Sequence, residues 1–152
     1  MNGNELSFAY DFANRLISAG QNSYTYNVED VRVRNLCGES ETTYAYNTNG
    51  RLSQLLVKTT DGVITKYVYG LGLIGEETSG NFKTYHFDYR GSTTAITDIN
   101  GNVTDTFAYD TYGNLVSRTG TSAVIFLYNG RDGVVTDDNG LIYMRARYYS
   151  PE

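Results

Sequence analysis

One short phrase recurs six times along this 152-residue chain: two aromatic residues separated by one position, then Asp, Asn or Gly. Its copies are residues 8–11, 24–27, 44–47, 67–70, 85–88 and 107–110. The second aromatics lie 16, 20, 23, 18 and 22 residues apart. This spacing favours one β-hairpin per repeat, because two strands and two turns occupy roughly twenty residues.

Each phrase has the pattern of a strand end. Aromatics two positions apart project from the same face of a strand, and the polar or Gly residue after them suits a turn. Several copies are followed by a turn residue and then Leu, at Leu16, Leu52 and Leu115. We therefore expect the chain to re-enter a strand at these leucines.

Two dipeptides test the hairpin interpretation. A type I′ loop at Asp61-Gly62 would pair Thr60 with Val63 and leave both faces partly apolar. The same register at Asn100-Gly101 would bring four apolar residues onto one buried face: Ile96, Val103, Phe107 and Tyr109. The sequence thus predicts an antiparallel meander, with a short helical turn within residues 5–18 as an open alternative.

The expected fold is all-β, a single domain over residues 1–152 that forms a strongly curved strip or a barrel-like shell fragment. A single sheet leaves one face uncovered and two edges with unpaired backbone groups. We expect the strip to curl until that face meets itself, or to stack on further repeats or a second copy.

Composition narrows the function classes. The net charge of −5 argues against a nucleic-acid partner, which requires clustered Lys and Arg. Apolar runs such as residues 124–127 are too short to span a bilayer, so no membrane insertion is expected. The N-terminus lacks a signal-peptide pattern, which places any export signal on a longer parent protein. Cys37 is the single cysteine, and we expect neither a disulfide, a zinc cluster nor a cofactor.

Candidate catalytic groups have simpler interpretations. Asp88 and Asp110 occupy equivalent repeat positions and could form a carboxylate dyad, but an Asp at a strand end more readily caps its own turn. His86, the only histidine, lies between two aromatics and is expected on the opposite face of the strand. The run beginning at Asp98 lacks the Gly and Glu of an EF-hand loop. We expect no catalytic residue.

Two surfaces have binding interpretations. Arg145 and Arg147 alternate with Met144 and Ala146, which predicts a strand with both guanidinium groups on one Tyr-lined face. Such a face suits stacking, and an acidic ligand is a secondary alternative. The Tyr-rich sheet could likewise bind carbohydrate by ring stacking, although Tyr also suits a half-buried sheet.

The recurring phrase with its following Gly-Arg-Leu resembles the YD repeat of Rhs proteins, a group that includes teneurin ectodomains and the C subunits of insecticidal toxin complexes. Residues 1–84 match only this looser repeat. Residues 85–152 resemble the Rhs repeat-associated core domain, through residues 85–88, 109–113, 128–130 and 140–151. The repeat positions that carry the resemblance are Tyr10, Asp11, Tyr26, Tyr46, Gly50, Tyr69, Phe87, Asp88, Gly101, Tyr109, Asp110, Gly113, Gly140, Arg145, Arg147 and Tyr148.

The resemblance implies a bacterial, secreted or cell-surface polymorphic toxin. In that family, hairpins join edge to edge into a hollow shell around a C-terminal toxin, and an Asp-Pro-containing segment after the core performs self-cleavage. This chain stops at Glu152, before such a segment, so self-cleavage is not expected of it. The implied function is structural, with further YD repeats or self-association through sheet edges, and an enclosed toxin, as partners. The alternative is a carbohydrate or cell-surface binding module.

Overall fold

The computed structural model describes residues 7–50 and 52–151, and these form an almost entirely β structure. Twelve strands make one sheet in which every strand pairs antiparallel with its sequence neighbours. Their bounds are β1 (Phe8–Tyr10), β2 (Leu16–Ala19), β3 (Asn22–Tyr26), β4 (Arg32–Cys37), β5 (Ser40–Asn47), β6 (Gln54–Thr60), β7 (Val63–Tyr69), β8 (Leu73–Thr78), β9 (Asn81–Phe87), β10 (Thr93–Thr97), β11 (Val103–Tyr109) and β12 (Leu115–Thr119). The predicted all-β meander is confirmed. Because β1 and β12 do not pair with each other, the sheet is an open strip.

The repeated phrase marks the end of every odd-numbered strand. Its second aromatic is the last residue of the strand in five copies, and β5 extends one residue further to Asn47. Beside each copy the register shifts by one residue, as at a β-bulge. Since a bulge bends its strand and increases the local twist, six in succession curve the strip in one sense.

Polar residues after the phrase cap the adjoining turns, as predicted. Asp88 Oδ1 accepts hydrogen bonds from the backbone N–H groups of Arg90 and Ser92 at 2.9 and 2.8 Å. Asp110 accepts equivalent bonds from Tyr112 and Asn114 at 2.8 and 2.9 Å. The same two-bond pattern occurs at Asp11, Asn27 and Asp98. The carboxylates of Asp88 and Asp110 therefore serve their own turns.

The opposite rim of the sheet carries mostly two-residue turns. Asp61 and Gly62 have φ of 49° and 84°, and Thr60 pairs with Val63, which confirms the predicted type I′ loop. The same two-residue register, applied to Asn100-Gly101, is wrong next to the turn. There Asp98 caps a longer turn and Thr97 pairs with Val103 across a bulge.

The predicted buried face at this hairpin is correct only in part. Ile96 and Phe107 are buried, but Val103 is 61% exposed at the start of β11, as Val63 is, at 51%, at the start of β7. Asp105, which pairs with Ile96 and also faces inward, is 1% exposed. The predicted re-entry at Leu52 is also wrong. Leu52 is half exposed, and Leu55 pairs with Tyr46 and is buried.

A second layer covers the inner face of the sheet. It consists of residues 120–151, here called the C-terminal segment, with the 3₁₀ helix η1 (Gly130–Asp132) and strands β13 (Val135–Thr136), β14 (Ile142–Tyr143) and β15 (Tyr148–Tyr149). Its Phe126, Leu127 and Tyr143 pack with the aromatics of the repeats in one core. The expectation that the inner face meets itself or a second copy is therefore corrected: that face packs against the chain's own C-terminal segment.

The strip is strongly curved around this segment. Asn35 on β4 and Arg118 on β12 line the same cavity, although seven strands lie between β4 and β12 in the sheet. Of the region in which a helical turn was the alternative, residues 7–18 form β1, a turn and the start of β2, and residues 5 and 6 lie outside the described part. No helix in the described residues is long and apolar enough to cross a membrane.

The sheet ends and the C-terminal segment begins at Gly120. Its φ is 76°, and a Cβ atom there would lie 2.3 Å from the Thr104 carbonyl oxygen and 2.4 Å from Asp105 Oδ1. Asp105 in turn accepts hydrogen bonds from the Ser122 N–H at 2.9 Å and the Ser122 hydroxyl at 2.6 Å. These contacts fix the point where the chain folds back onto the inner face.

Gly120→Ala is expected to destabilise the protein more than Gly101→Ala does. Both glycines have positive φ, which costs an L-residue about 1–2 kcal/mol. At Gly101 a Cβ meets nothing within 4 Å, whereas at Gly120 it collides with backbone and a buried carboxylate. Urea unfolding measures the difference, and equal losses for the two variants would contradict the assigned role of Gly120.

Candidate functional site

The inner face of the sheet carries a repeating apolar position that faces the second aromatic across each bulge. Leu16 pairs with Tyr10, and equivalent leucines, Leu55 and Leu73, occur in later repeats. In the second repeat this position is Arg32, which pairs with Tyr26. Arg32 is fully buried, at 0% exposure, in a place where four of its five repeat equivalents are leucines.

The partner of Arg32 comes from the C-terminal segment. Its Nη1 atom lies 2.5 Å from Asp137 Oδ2, and both side chains are almost fully buried. The same Nη1 donates a hydrogen bond to the Tyr148 hydroxyl at 2.9 Å. The Arg32 backbone N–H donates to the Tyr143 hydroxyl at 3.1 Å. One residue of β4 thus contacts three separate parts of the C-terminal segment.

Four tyrosine rings surround the guanidinium group. Its carbon lies 4.3 Å from the ring centroid of Tyr143, 5.0 Å from Tyr44, 5.3 Å from Tyr24 and 5.7 Å from Tyr148. Two rings belong to the sheet and two to the C-terminal segment. Aromatic faces attract cations, most strongly where water is excluded. We call this arrangement, with Arg32 and Asp137, the arginine cage.

The cage keeps its central charge. Burial alone lowers the pKa of Arg32, but the Asp137 carboxylate, Tyr148 and Tyr44 together outweigh this and hold it well above the ordinary value. Burial raises the pKa of the Asp137 carboxyl, and the guanidinium limits that rise. Burial also raises the pKa of Tyr44 to about 12, so its ring stays neutral beside the cation.

The turn that carries Asp137 explains why its carboxylate is available. Its backbone bonds match those of the capped turns, with the Asp137 N–H donating to Leu141 O and the Gly140 N–H to Asp137 O. The Leu141 N–H, however, donates to Asn139 Oδ1 at 3.2 Å. Asn139 therefore supplies a cap and Asp137 points into the cage.

Further contacts hold the C-terminal segment along the strip. The Thr93 hydroxyl donates to Phe126 O at 2.6 Å, and the Thr93 N–H donates to Leu127 O at 2.9 Å. The Tyr149 hydroxyl donates to Tyr112 O at 2.8 Å near the end of β11. Thr93 occupies the same repeat position as Arg32. The two residues at this position that are not leucine therefore both bind the C-terminal segment.

A second buried charge lies elsewhere on the inner face. Glu76 is 4% exposed, and the Tyr85 hydroxyl donates to its Oε2 at 2.8 Å. Among the described residues no Lys or Arg nitrogen lies within 4 Å of it. Burial therefore raises the pKa of Glu76. A carboxyl in this environment keeps its proton to a higher pH than an exposed Glu does.

The predicted repeat positions fall into three groups. Six are aromatics on the inner face beside the bulges: Tyr10, Tyr26, Tyr46, Tyr69, Phe87 and Tyr109. Seven lie in the connections between strands: Asp11, Gly50, Asp88, Gly101, Asp110, Gly113 and Gly140. The other three lie at the β14–β15 turn of the C-terminal segment, which also contains Gly140: Arg145, Arg147 and Tyr148. Only Tyr148 is part of the arginine cage.

The predicted Arg-Tyr strand face is wrong. Residues 144–147 form a tight turn between β14 and β15, closed by a hydrogen bond from the Met144 N–H to Arg147 O at 2.8 Å, with Arg145 at φ 60°. Arg145 donates to the carbonyl oxygens of Asp132 and Ser53, and Arg147 is exposed. The buried arginine that stacks on tyrosines is Arg32, which sequence reasoning missed.

His86 lies on the outer face as predicted, where its Nε2 is 3.0 Å from the Thr97 hydroxyl. The described residues contain no group of three His, Cys, Asp or Glu side chains that could hold a metal ion. Sequence reasoning did not identify Asp105, Glu76 or Asp137 as buried. The available signal was a charged residue at a position that alternation assigns to the inner face.

Replacing Arg32 is expected to loosen the C-terminal segment. Arg32→Leu restores the residue found at equivalent positions but leaves the Asp137 carboxylate buried without its partner, which costs about 3–5 kcal/mol. The double variant Arg32→Leu/Asp137→Asn is expected to recover part of this loss. Urea unfolding and protease cleavage within residues 120–151 are the measurements.

The matched control is Arg34→Leu, since Arg34 pairs with Glu41 on the exposed face. An exposed pair is worth about 1 kcal/mol or less, so this variant should unfold close to the parent. If Arg32→Leu costs no more than Arg34→Leu, the cage does not hold the C-terminal segment.

Glu76→Gln should stabilise the protein increasingly as pH rises above about 4.5, the ordinary pKa of Glu. Because the pKa of Glu76 is higher in the folded state than in the unfolded state, proton binding stabilises the folded parent protein. This stabilisation is complete below the unfolded-state pKa and is lost as pH rises through the folded-state pKa, whereas Gln does not titrate. Urea unfolding from pH 4 to 8 measures the difference from the parent.

Glu77→Gln provides a control of opposite sign. Hydrogen bonding from the Gly80 N–H lowers the pKa of Glu77, so its contribution is present at neutral pH and disappears on acidification. Parallel pH profiles for the two variants would contradict the assignment of Glu76 as a carboxyl destabilised by burial.

No family model matches this chain. The tRNA nuclease WapA of Bacillus subtilis strain 168 is 27% identical over 179 residues, covering 97% of this chain and 8% of that protein. The tRNA(Glu)-specific nuclease WapA of Bacillus subtilis subsp. natto is also 27% identical, over 97% of this chain and 7% of its own length. The chain thus corresponds to less than a tenth of these relatives.

Solved structures share the fold. The Photorhabdus luminescens Tc holotoxin pore matches with a TM-score of 0.72 and 16% identity, over 97% of this chain and 8% of the matching chain. The TcdB2-TccC3-Cdc42 crystal structure matches with a TM-score of 0.69 and 14% identity, over 97% and 8%. Together, the toxin-complex structures and the WapA relatives support a relationship to Rhs-type proteins.

Proposed function

We propose that this chain is a structural module, a piece of the β wall that encloses a C-terminal toxin in a longer Rhs-type protein, with no catalysis of its own. The observation that carries the proposal is the state of the first strand. Phe8 and Tyr10 on β1 are 50% and 56% exposed. Five equivalents of Phe8 in later repeats are between 4% and 8% exposed, at Tyr24, Tyr44, Tyr67, Tyr85 and Phe107.

This difference supports continuation of the wall at β1. Strands β2 to β11 each pair with a neighbour on both sides. By contrast, β1 pairs only with β2, and β12, at the other edge, pairs only with β11. Its outer backbone groups and its aromatic pair are both without cover in the described structure. A preceding hairpin of the same kind would supply hydrogen bonds to the first and apolar contact to the second.

The carbohydrate-binding alternative requires an accessible Tyr face. The inner-face tyrosines at the first phrase position are buried beneath the C-terminal segment, at 4% for Tyr24 and 8% for Tyr44. The observation therefore favours the wall. From the resemblance, we further propose that the longer protein is secreted or displayed at the bacterial cell surface.

The open β1 edge is expected to make the isolated chain self-associate. Sedimentation at increasing concentration should show reversible association, and the double variant Phe8→Thr/Tyr10→Thr should reduce it, because it removes apolar surface at the edge. Tyr112→Thr, which changes an exposed turn residue, is the control. A chain that stays monomeric, with β1 amides exchanging as slowly as those of β3, would contradict an open pairing edge.

The absence of catalysis is tested on the substrate class named for the relatives. The purified chain, incubated with mixed tRNA in the presence of Mg²⁺, is expected to leave the tRNA intact on a denaturing gel. Cleavage that follows the chain through purification, and that is lost on heat unfolding, would overturn the structural proposal.

A further inference from the structure

A polar cavity opens at the rim that carries the two-residue turns. Its volume is about 330 Å³, within the range of small-ligand sites. Strands β4, β5 and β6 form one wall, and the C-terminal segment forms the other. Arg118 reaches it from β12. The repeat fold and the arginine cage do not account for this space.

Lys58 lies on the cavity wall without a partner. It pairs in register with Tyr44 and Thr65, both buried on the inner face, so its side chain also points inward. Among the described residues no carboxylate lies within 4 Å of its amine, and no side chain or backbone oxygen accepts a hydrogen bond from it. Lys66 on the outer face, by contrast, lies 3.5 Å from Glu77.

Arg118 is held in position at the same cavity. Its Nη2 donates a hydrogen bond to the Ser122 carbonyl oxygen and lies 3.9 Å from Asp105 Oδ1. Its guanidinium carbon stacks 5.3 Å from the Phe107 ring centroid. A guanidinium oriented in this way loses little freedom when it binds an anion.

Hydroxyl groups of Ser40, Thr42, Thr60, Thr121, Ser122 and Thr136 also line the cavity. The Ser40 hydroxyl donates to Asp61 and the Ser122 hydroxyl to Asp105, and Thr42 and Thr60 bond each other, so Thr121 and Thr136 are the hydroxyls left for a ligand among the described residues. The Thr136 Oγ1 atom is buried and has no hydrogen-bond partner among the described residues. A buried hydroxyl without a partner costs free energy, so a ligand oxygen here would be stabilising.

The acidic groups near the cavity are mostly engaged. Asp137 is paired with Arg32 in the cage. Asp105 accepts hydrogen bonds from the Ser122 N–H and hydroxyl and from the Thr104 hydroxyl. Asp138 is exposed at the opening. Arg118 lies 3.9 Å from Asp105, so Lys58 is the lining cation without a carboxylate within 4 Å among the described residues, and Glu76 and Asp138 attract it only from a longer distance.

We propose that this cavity binds a small ligand bearing an oxyanion, a phosphate or carboxylate group, between the Lys58 amine and the Arg118 guanidinium. The Thr121 and Thr136 hydroxyls donate hydrogen bonds to the other ligand oxygens. Separately, burial lowers the pKa of Lys58, and a bound anion would offset that cost. The site does not depend on the proposed wall function.

The test is titration of the isotope-labelled chain with inorganic phosphate and, separately, with acetate, each against chloride at matched ionic strength. The amide signals of Ser122 and Thr136 should shift and saturate with phosphate, with acetate, or with both. The outcome tells phosphoryl from carboxylate ligands. Shifts that stay linear with both anions, or that chloride reproduces, would overturn the site.

Three variants assign the binding to Lys58. Lys58→Gln should weaken it at least about tenfold, the effect of losing one charged hydrogen bond. Lys58→Arg should retain it, and Lys66→Gln should leave it unchanged. If Lys58→Gln fails to fold, Arg118→Gln, on the partly exposed side of the cavity, should weaken anion binding in the same way and tests the site. Equal affinity in parent and Gln variants would refute the assignment.

Discussion

A curved, single-layer sheet must cover its inner face, and in this protein the cover comes from the last residues of the same chain. The inner face is made of tyrosines and leucines from successive repeats, which pack with Phe126, Leu127 and Tyr143 of the C-terminal segment. Burial of apolar area supplies most of the stabilisation but does not select one alignment of the two layers. The Arg32–Asp137 pair favours one alignment, because the two buried charges are paired only where they meet.

Each repeat both widens and bends the sheet through a few local residues. A polar side chain after the aromatic pair caps the turn, and the adjacent bulge shifts the register, so each unit adds bend as well as width. The tyrosine rings of the later repeats pack in the core, and two of their hydroxyls donate to a neighbour, that of Tyr85 to Glu76 and that of Tyr26 to the Leu16 carbonyl oxygen. The buried hydroxyls of Tyr46, Tyr67, Tyr69 and Tyr109 have no hydrogen-bond partner among the described residues. Where the inner position departs from Leu, at Arg32 and Thr93, the substitute binds the C-terminal segment.

Local features of this fold could be predicted from sequence, and long-range ones could not. The aromatic phrase, the capping role of Asp88 and the Asp61-Gly62 loop depend on contacts within a few residues, which pattern and turn chemistry determine. Arg32 and Asp137 lie 105 residues apart, and nothing near either one identifies the other. Alternation assigned Arg145 to a strand, but a positive φ at that residue makes a turn, because tertiary packing overrides a weak local preference.

The two edges of the strip differ in how their backbone and side chains are covered. After β12 the chain turns inward at Gly120, where the Thr104 carbonyl and the Asp105 carboxylate leave no room for a Cβ atom. The C-terminal segment therefore enters the interior instead of extending the sheet. At the other edge, the aromatic pair of β1 lies exposed beside backbone groups that no strand of the described structure pairs. In the proposed wall, further strands would therefore join at the β1 edge, whereas the residues directly after β12 lie on the inner face.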